Sequence, residues 1–567
     1  MSSDRKASVI LTVEVSVALA ALTALLYSFP YHLVYQERYQ MFQFTLAYLA
    51  EVLSQPGGLC DYVGRFLTQF FMFPWAGALL MGLLYAGISV LVWHLTGART
   101  LYLMPISLIP AILMAAYALD ANALPGAAVS LLVVTAAAKA VLPMRDDHAA
   151  AAVAALLVPV LYWACGPLCI VFVLVVGKRD WKLVLPGLLL SAAMPLIAWT
   201  FMHLPLRSLL VGVHYHRFPL TIPVLPWVAA ASVVVLAWTE RFLKDSRNAV
   251  VASAMMFLIV AAGGFFLSSR MQSLKCRHRE ESFRYLFLLQ DCRWEDIKDA
   301  SLKRFPSQNP SATAAINLAY AMTDGLPGKL FSRFQNGPQG LIPPFHLDFI
   351  TPLTGAGIFW SLGMVNDAQR YAYEAQETIP DHQKSSLCCR MIASASLAAG
   401  HDDVARKYLS SLDRTLFYRK WARNAPHDPV IAGARTMSLP SSDLLFSEDR
   451  IPRMLEEVCE ACEDNLPARD YCLCDLLLQT DLRSFSDAFA RMWHRDVVIP
   501  EVYAEGLLLG WAEGHPDFTD FPWDVSDSLK DSCAQFIDLV KSGASKATAR
   551  QRYGDTYWFY FFYHDAK

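Results

Sequence analysis

The chain has 567 residues, 55% of them hydrophobic and 17% charged, with a formal net charge of −3. That length is more than one hydrophobic core organises, so at least two domains are expected. The composition is too apolar for an average soluble protein, and the slightly acidic balance excludes the basic face of a nucleic-acid binder.

The apolar residues are concentrated in the first half. Residues 1–269 are expected to form an all-α transmembrane bundle, and 270–567 a soluble helical domain. Ser8–Pro30 is too long for the core of a signal peptide and has no small-residue cleavage site before its aromatic flank, so it is expected to stay as the first spanning helix. Further apolar segments run at Trp75–Leu95, Leu101–Leu119, Leu124–Leu142, Ala149–Cys165, Leu168–Gly177, Leu183–Leu204, Leu220–Trp238 and Val250–Leu267, nine in all. The fifth and sixth are short. They read either as a hairpin turning at Gly166-Pro167 or as one kinked helix.

Charge favours nine. With the N-terminus inside, the inner loops carry Arg5, Lys6, Arg99, Arg145, Lys178, Arg179, Lys182, Arg241, Lys244 and Arg247, whereas the outer loops carry only Arg38, Arg65, Arg207 and Arg217. By the positive-inside rule the N-terminus is expected in the cytoplasm and the C-terminal domain outside it, on the face that also carries residues 31–74. Glu14 and Lys139 are the ionisable residues within the spans, Lys139 near enough to an end to snorkel.

Between the first two spans lies an insertion, residues 31–74, expected on the outer face. Leu33, Tyr35, Phe42, Phe44, Leu46 and Leu49 alternate with Glu37, Arg38, Gln40, Gln43 and Glu51, as in a helix lying at headgroup level. Pro56-Gly57-Gly58 breaks it, and Leu59–Phe73 reads as a second, aromatic helix. Glu37, Glu51 and Asp61 are the acids of this stretch. A second outer loop, His203–Pro219, holds Arg207, His214, His216 and Arg217. His-x-His can supply two metal ligands on one face of an extended segment, and paired arginines can hold phosphate. The alternative is that these groups merely solvate a loop beside headgroups.

In the second half, FWSLGMVNDAQRYAYEAQETIP reads as a helical pair turning at Gly363, with small residues at Ala368, Ala372 and Ala375 and Pro380 closing it. Gly400, Ala405, Leu409 and Leu412 repeat the pattern, which points to a tetratricopeptide-like (TPR-like) array. Cys459, Cys462, Cys472 and Cys474 are spaced too tightly at the second pair for a zinc knuckle and read as small buried residues, or as disulfides in an oxidising compartment. No P-loop, dinucleotide fingerprint, nucleophile elbow or H-E-x-x-H is present.

On YQERYQMFQFT (35–45), PGGLCDYVGRFLTQFF (56–71) and YGDTYWFYFFY (553–563), the chain resembles, over its whole length, a family of uncharacterised multi-pass membrane proteins of Bacteroidota. More loosely, its layout is similar to that of membrane glycosyltransferases with the C-type fold, which use polyprenyl-phosphate sugar donors. That resemblance implies a carboxylate of the first outer loop as general base or metal ligand. In those enzymes the acid usually follows the first helix at once, whereas here the first is Glu37, beside Arg38.

Three functional readings follow. As a glycosyltransferase-like enzyme, Glu37 would be the base or metal ligand, supported by Asp61 or Glu51, while Arg38, Arg207, His214, His216 and Arg217 would hold a lipid-linked phosphate. A divalent metal is the one cofactor this allows for. As a non-enzymatic scaffold, the repeat domain would bind a periplasmic protein partner. Transport is the weakest, because the spans lack the ionisable residues and broken-helix pairs it needs. The enzyme expects Glu37 and the His214–Arg217 loop to share one cavity. The scaffold expects them to lie apart, with the deep groove inside the array.

Overall fold

The computed structural model describes residues 3–96, 103–179, 182, 184–218, 220–239, 249–303, 309–380, 383–437, 451–494, 497–515 and 517–564. Among them every regular element is helical, and the β contact present is a single isolated bridge, Ala123 to His216. Arg99, Arg241, Lys244 and Arg247, which enter the sidedness argument, lie outside the described residues.

The chain divides into two compact units. Unit 1 is Met1–Glu280 with two later segments, Pro380–Leu387 and Ser411–Arg419; unit 2 is Glu281–Ile379, Cys388–Ser410 and Lys420–Lys567.

Unit 1 begins with α1 (Ser3–Tyr27) and α2 (Pro30–Arg38), bent by 68° from one another. Next come α3 (Leu46–Leu53), α4 (Gly58–Thr68) and α5 (Pro74–Leu95), then α6 (Leu103–Ile106), α7 (Leu108–Ala118) and α8 (Gly126–Val141). The helices α9 (Asp147–Cys165), α10 (Cys169–Val176), α11 (Val184–Phe201), α12 (Leu206–Val211), α13 (Val224–Thr239) and α14 (Ala249–Gln272) complete the bundle.

By length and composition, four apolar stretches of the described residues can cross a membrane: Pro74–Leu95, Asp147–Val176, Val184–Phe201 and Val251–Gln272. The bent pair α1–α2 makes a fifth if it is one span. Nine apolar segments were expected. The rest are short: α8 and α13 have 16 residues each, α7 has 11 and α10 only 8, against the roughly 20 that a bilayer asks of a helix.

The stretch Asp147–Val176 is not one rod. Thirty residues of straight helix would extend about 45 Å, yet the Arg179 guanidinium just past its end sits 2.6 Å from Asp147 at its start. The chain therefore folds back at Gly166 (φ +72°), where α9 hands over to α10. Of the two alternatives left open by the sequence, the geometry is the hairpin.

Similar polar ties group the helix ends into two sets. On one side Lys139 Nζ donates to His94 O (3.1 Å), Lys178 Nζ to Leu95 O (3.0 Å), and Arg179 meets Asp147. On the other, Gly57 N donates to Trp163 O (2.8 Å), Arg217 N to Asn122 O (2.9 Å), Tyr31 N to Glu280 Oε1 (2.8 Å), and Arg279 faces Asp120 (3.6 Å). Short α8 and α10 lie inside, their side chains mostly buried. Long α11 and α14 lie outside and present Leu185, Leu189, Phe257 and Phe265 bare. Exposed apolar faces such as these are lipid- or partner-facing.

Unit 2 takes up the chain within α15 (Leu274–Gln290) and continues through α16 (Trp294–Lys303), α17 (Pro310–Ala321), α18 (Ile350–Ser361), α19 (Val365–Glu377), α20 (Ser386–Ala398) and α21 (Asp402–Asp413). Then come α22 (Arg419–Asn424), α23 (Pro429–Met437), α24 (Ile451–Ala461), α25 (Leu466–Leu478) and α26 (Leu482–Met492). The last are α27 (Glu501–Ala512), α28 (Asp527–Lys541), α29 (Lys546–Tyr553) and α30 (Tyr557–Tyr563).

Gly363 does turn α18 into α19, at φ +83°, and Ala368, Ala372 and Ala375 are fully buried where the two helices meet. A strict solenoid touches only its neighbours. Here the chain also returns on itself, with the Phe331 ring 5.3 Å from Tyr557 and 4.9 Å from Tyr560. The aromatic tail is covered inside the unit: Trp558 Nε1 donates to Glu505 O (2.9 Å) and Tyr557 N to Glu505 Oε2 (2.7 Å).

Candidate functional site

The site is built by the insertion 31–74, and its backbone departs from the expected single helix before Pro56. Pro30 at the first turn starts α2, but Gln40–Phe44 is extended. Its main chain is used elsewhere: Gln40 O accepts from Ser386 N (3.3 Å) and Phe44 N donates to Arg414 O (2.9 Å). The two later segments of unit 1 are thus tied to the insertion, and these bonds replace the helical ones the periodicity predicts.

Thr45 then caps α3, its hydroxyl accepting from Tyr48 N (3.2 Å). At Gly57 (φ +83°) and Gly58 the chain turns into α4. A Cβ on Gly58 would sit 2.0 Å from Val52 O, so no other residue fits there. Gly64 lets α4 lie directly against the start of α8, where a Cβ would meet Gly126 N at 2.5 Å.

That close approach buries Asp61 to 1% exposure. Its Oδ2 accepts from Arg65 Nε one turn on (2.6 Å) and lies 3.2 Å from His214 Nδ1. Burial alone would lower the Arg65 guanidinium, but Asp61 and the Tyr48 hydroxyl beside it hold it above its usual value. Buried charges persist only when paired in this way.

Arg65 and His214 form one wall of a cavity of about 200 Å³. Gln40, Gln43, Tyr48 and Gln55 add polar groups, and exposed Glu51 and Lys384 stand at its edge. Three groups able to carry positive charge, two of them already paired with Asp61, thus line one cavity with the Glu51 carboxylate, which suits an anionic ligand with a hydroxyl to be deprotonated.

The remaining predicted residues fall around this cavity rather than in it. Glu37 is buried beside a gap of only about 10 Å³ that shares Gln40 and Met41 with the cavity. Its Oε2 accepts from the Tyr418 hydroxyl (2.9 Å), and burial, against the pull of Arg38 and of that bond, pushes its pKa up to about 8. Glu37 is packed behind the cavity and anchors the 411–419 segment through Tyr418.

Arg38 is half-buried next to it, its carbonyl taken by Ser385 Oγ (2.6 Å). Arg217 is buried with its guanidinium 3.8 Å over the Tyr39 ring and Nη2 donating to Gln36 O (3.3 Å). Arg207 is exposed on α12 and lines no part of the cavity.

His214 and His216 do not act as a pair. His216 Nε2 lies 3.4 Å from Asp120, while His214 faces Asp61, so the two rings serve different carboxylates. Among the described residues no three His, Cys, Asp or Glu side chains gather as a metal site would require. In unit 2, Cys459, Cys472 and Cys474 are buried as thiols, Cys472 donating to Pro452 O (3.3 Å).

The expectation that Glu37 and the His214–Arg217 loop share a cavity meets a divided outcome. His214 enters the cavity and Glu37 lies behind it, while a larger cavity, about 690 Å³, belongs to unit 2. Of the missed residues, Arg65 was legible as the i+4 partner of Asp61. Lys384 and Tyr418 lie more than 300 residues from the insertion in sequence and carry no local signal.

Fold and cavity together describe an all-helical protein in which an apolar bundle carries a charged, partly enclosed polar site. The chain belongs to a family of unknown function, DUF6057, whose model matches residues 5–564. No curated protein and no solved structure matches it.

Proposed function

We propose that this chain is an integral protein of the bacterial inner membrane, with a cytoplasmic N-terminus, that transfers a sugar from a lipid-linked phosphate donor at the outer face. Nine crossings are supported by the alternation of the helix ends: Leu95, Lys139, Asp147 and Lys178 gather on one side, Tyr31, Asp120, Trp163 and Glu280 on the other. The short helices are accommodated because protein rather than lipid surrounds them. The periplasmic placement of the insertion and of the C-terminal domain follows from this count and the positive-inside rule.

The observation that carries the enzymatic reading is the cavity that Glu51 lines together with Arg65, His214 and Lys384. The oxygen of an acceptor hydroxyl attacks the anomeric carbon while Glu51 takes its proton. The bond from that carbon to the phosphate oxygen breaks, and the phosphate leaves with the electron pair, stabilised by Arg65, Lys384 and protonated His214. Asp61 touches neither reactant; it positions Arg65 and His214.

Glu51→Gln in the full-length protein tests this. Lipid-linked sugars in membranes from cells carrying it are expected to accumulate donor at the expense of product, with protein amount unchanged. A profile identical to that of the unaltered protein would sink the catalytic assignment.

The cavity of about 690 Å³ in unit 2 favours a second reading, in which the TPR-like unit is a scaffold that holds a periplasmic protein partner. A photo-crosslinker placed on unit 2 in cells is expected to capture one discrete protein, and a failure to capture any at several positions would dismiss it.

A further inference from the structure

We propose that the cavity of unit 2 binds an extended, cationic peptide segment with apolar side chains between its charges. This rests on the reading that unit 2 docks a protein partner, and it names the place and the chemistry. The cavity, about 690 Å³, has the size of a site that encloses a few residues.

Two helix-free segments, Val497–Pro500 and Phe521–Ser526, border the cavity. Backbone outside a helix lacks the helix's own N–H to C=O bonds, so these walls, apart from Val497, whose N–H donates to His494 O (3.1 Å), can pair with a strand-like ligand. The wall at Val497 is held in place from below. Trp493 Nε1 donates to Val497 O (3.1 Å), and the Trp493 ring stacks on Phe489 with centroids 5.1 Å apart. On that fixed wall Val498 is 90% exposed. An aliphatic side chain this bare, on rigid backbone at the edge of a cavity, offers a contact that no residue of the unit takes up.

Charge selects the occupant. Glu501 and Asp524, both exposed, line the cavity, and no Lys or Arg is among its described lining residues. The described residues of 497–532 carry, besides buried Glu505, seven Asp or Glu against Lys530 alone, in a chain whose total net charge is only −3. An anionic ligand, whether nucleic acid or sugar phosphate, is repelled, whereas Lys or Arg alternating with aliphatic residues meets both the acids and Val498.

The test uses the full-length protein in nanodiscs and three labelled, end-blocked heptapeptides, followed by fluorescence anisotropy. One alternates Lys with Val, one Glu with Val, and one Lys with Gly. The Lys/Val peptide is expected to bind, and to weaken as salt is raised. The other two should bind at least about tenfold more weakly, a difference of about 1.4 kcal/mol. Reversing both acids, Glu501→Lys with Asp524→Lys, should cost the Lys/Val peptide at least about tenfold, while Asp402→Lys on α21 leaves it unchanged. Equal binding of the Lys/Val and Glu/Val peptides overturns the proposal. So does Lys/Val binding that survives the double reversal, although a partner still crosslinked elsewhere on unit 2 would then leave the docking reading standing. Absence of both peptide binding and any crosslinked partner removes the two together.

Discussion

Both units bury acids, but they treat them differently. In unit 1, buried Asp61 is paired with Arg65 and His214, and half-buried Asp120, its side chain 38% exposed, with His216 and Arg279. Burial would raise Asp120, yet the bonds from His216 and Asn122 and the nearby charges hold it down to about 2. In unit 2 the neighbours are mostly neutral. Asp470 accepts from the Tyr503 hydroxyl, Asp475 from Gln479, and Glu505 from Tyr557 N. Burial then wins, and their pKa values rise to about 6, 7 and 8, with Asp367 at about 6.

The contrast separates two uses of a carboxyl group. An acid beside charged partners, as Asp120 is, keeps its charge, and an acid left among neutral partners is a hydrogen-bonding piece of packing. Glu37 lies in unit 1 but belongs to the second class, at about 8.

The largest effects should come from breaking each arrangement at its centre. Asp61→Ala strands a buried guanidinium and should cost about 3–5 kcal/mol, read from denaturation of the full-length protein in detergent. Adding Arg65→Leu should restore part of that loss, because removing both partners of a buried pair is far cheaper than removing one. A double variant as unstable as the single one would mean the pair is not the source. Trp558→Ala, at 1% exposure, should cost about 3–5 kcal/mol through the cavity it leaves, with nothing for a second charge change to rescue.

The pH response comes next. The native state holds protons on Glu37, Asp367, Asp470, Asp475 and Glu505 at pH values where the unfolded chain has released them. The stability these five acids contribute is therefore fully present below about pH 4 and is lost as pH rises through about 6 to 8. Glu505→Gln should flatten the upper part of that decline, as measured by denaturant midpoints at pH 5, 6.5 and 8. A midpoint that rises over this interval would reverse the assignment.

A smaller loss is expected for Gly64→Ala. Its Cβ would press on Gly126 N and drive α4 from α8, for about 1–3 kcal/mol. The smallest effect is that of Glu51→Gln on stability, within about 0.5 kcal/mol because the residue is exposed.

What the sequence made legible follows from which interactions are local. Apolar runs gave the bundle, and the Gly363 turn with its buried alanines gave a helical pair, because both are periodic within twenty residues or so. The hairpin at Gly166 stayed open until Arg179 was found against Asp147. The extended stretch Gln40–Phe44 was read as helix because the bonds that unwind it, to Ser386 and Arg414, come from over 340 residues away. Asp61 and His214 were picked out individually as acid and histidine of facing loops. Their contact, and the cavity completed by Lys384, depend on chain reversals that no local pattern encodes.

The central claim, that the cavity edged by Arg65, His214 and Lys384 holds a lipid-linked phosphate, is most directly tested by titrating a short-chain isoprenyl phosphate into the full-length protein in nanodiscs. Calorimetry should show saturable binding that Lys384→Glu weakens at least about tenfold, with an unchanged unfolding temperature because Lys384 is exposed. Equal affinity in the two proteins would contradict the account.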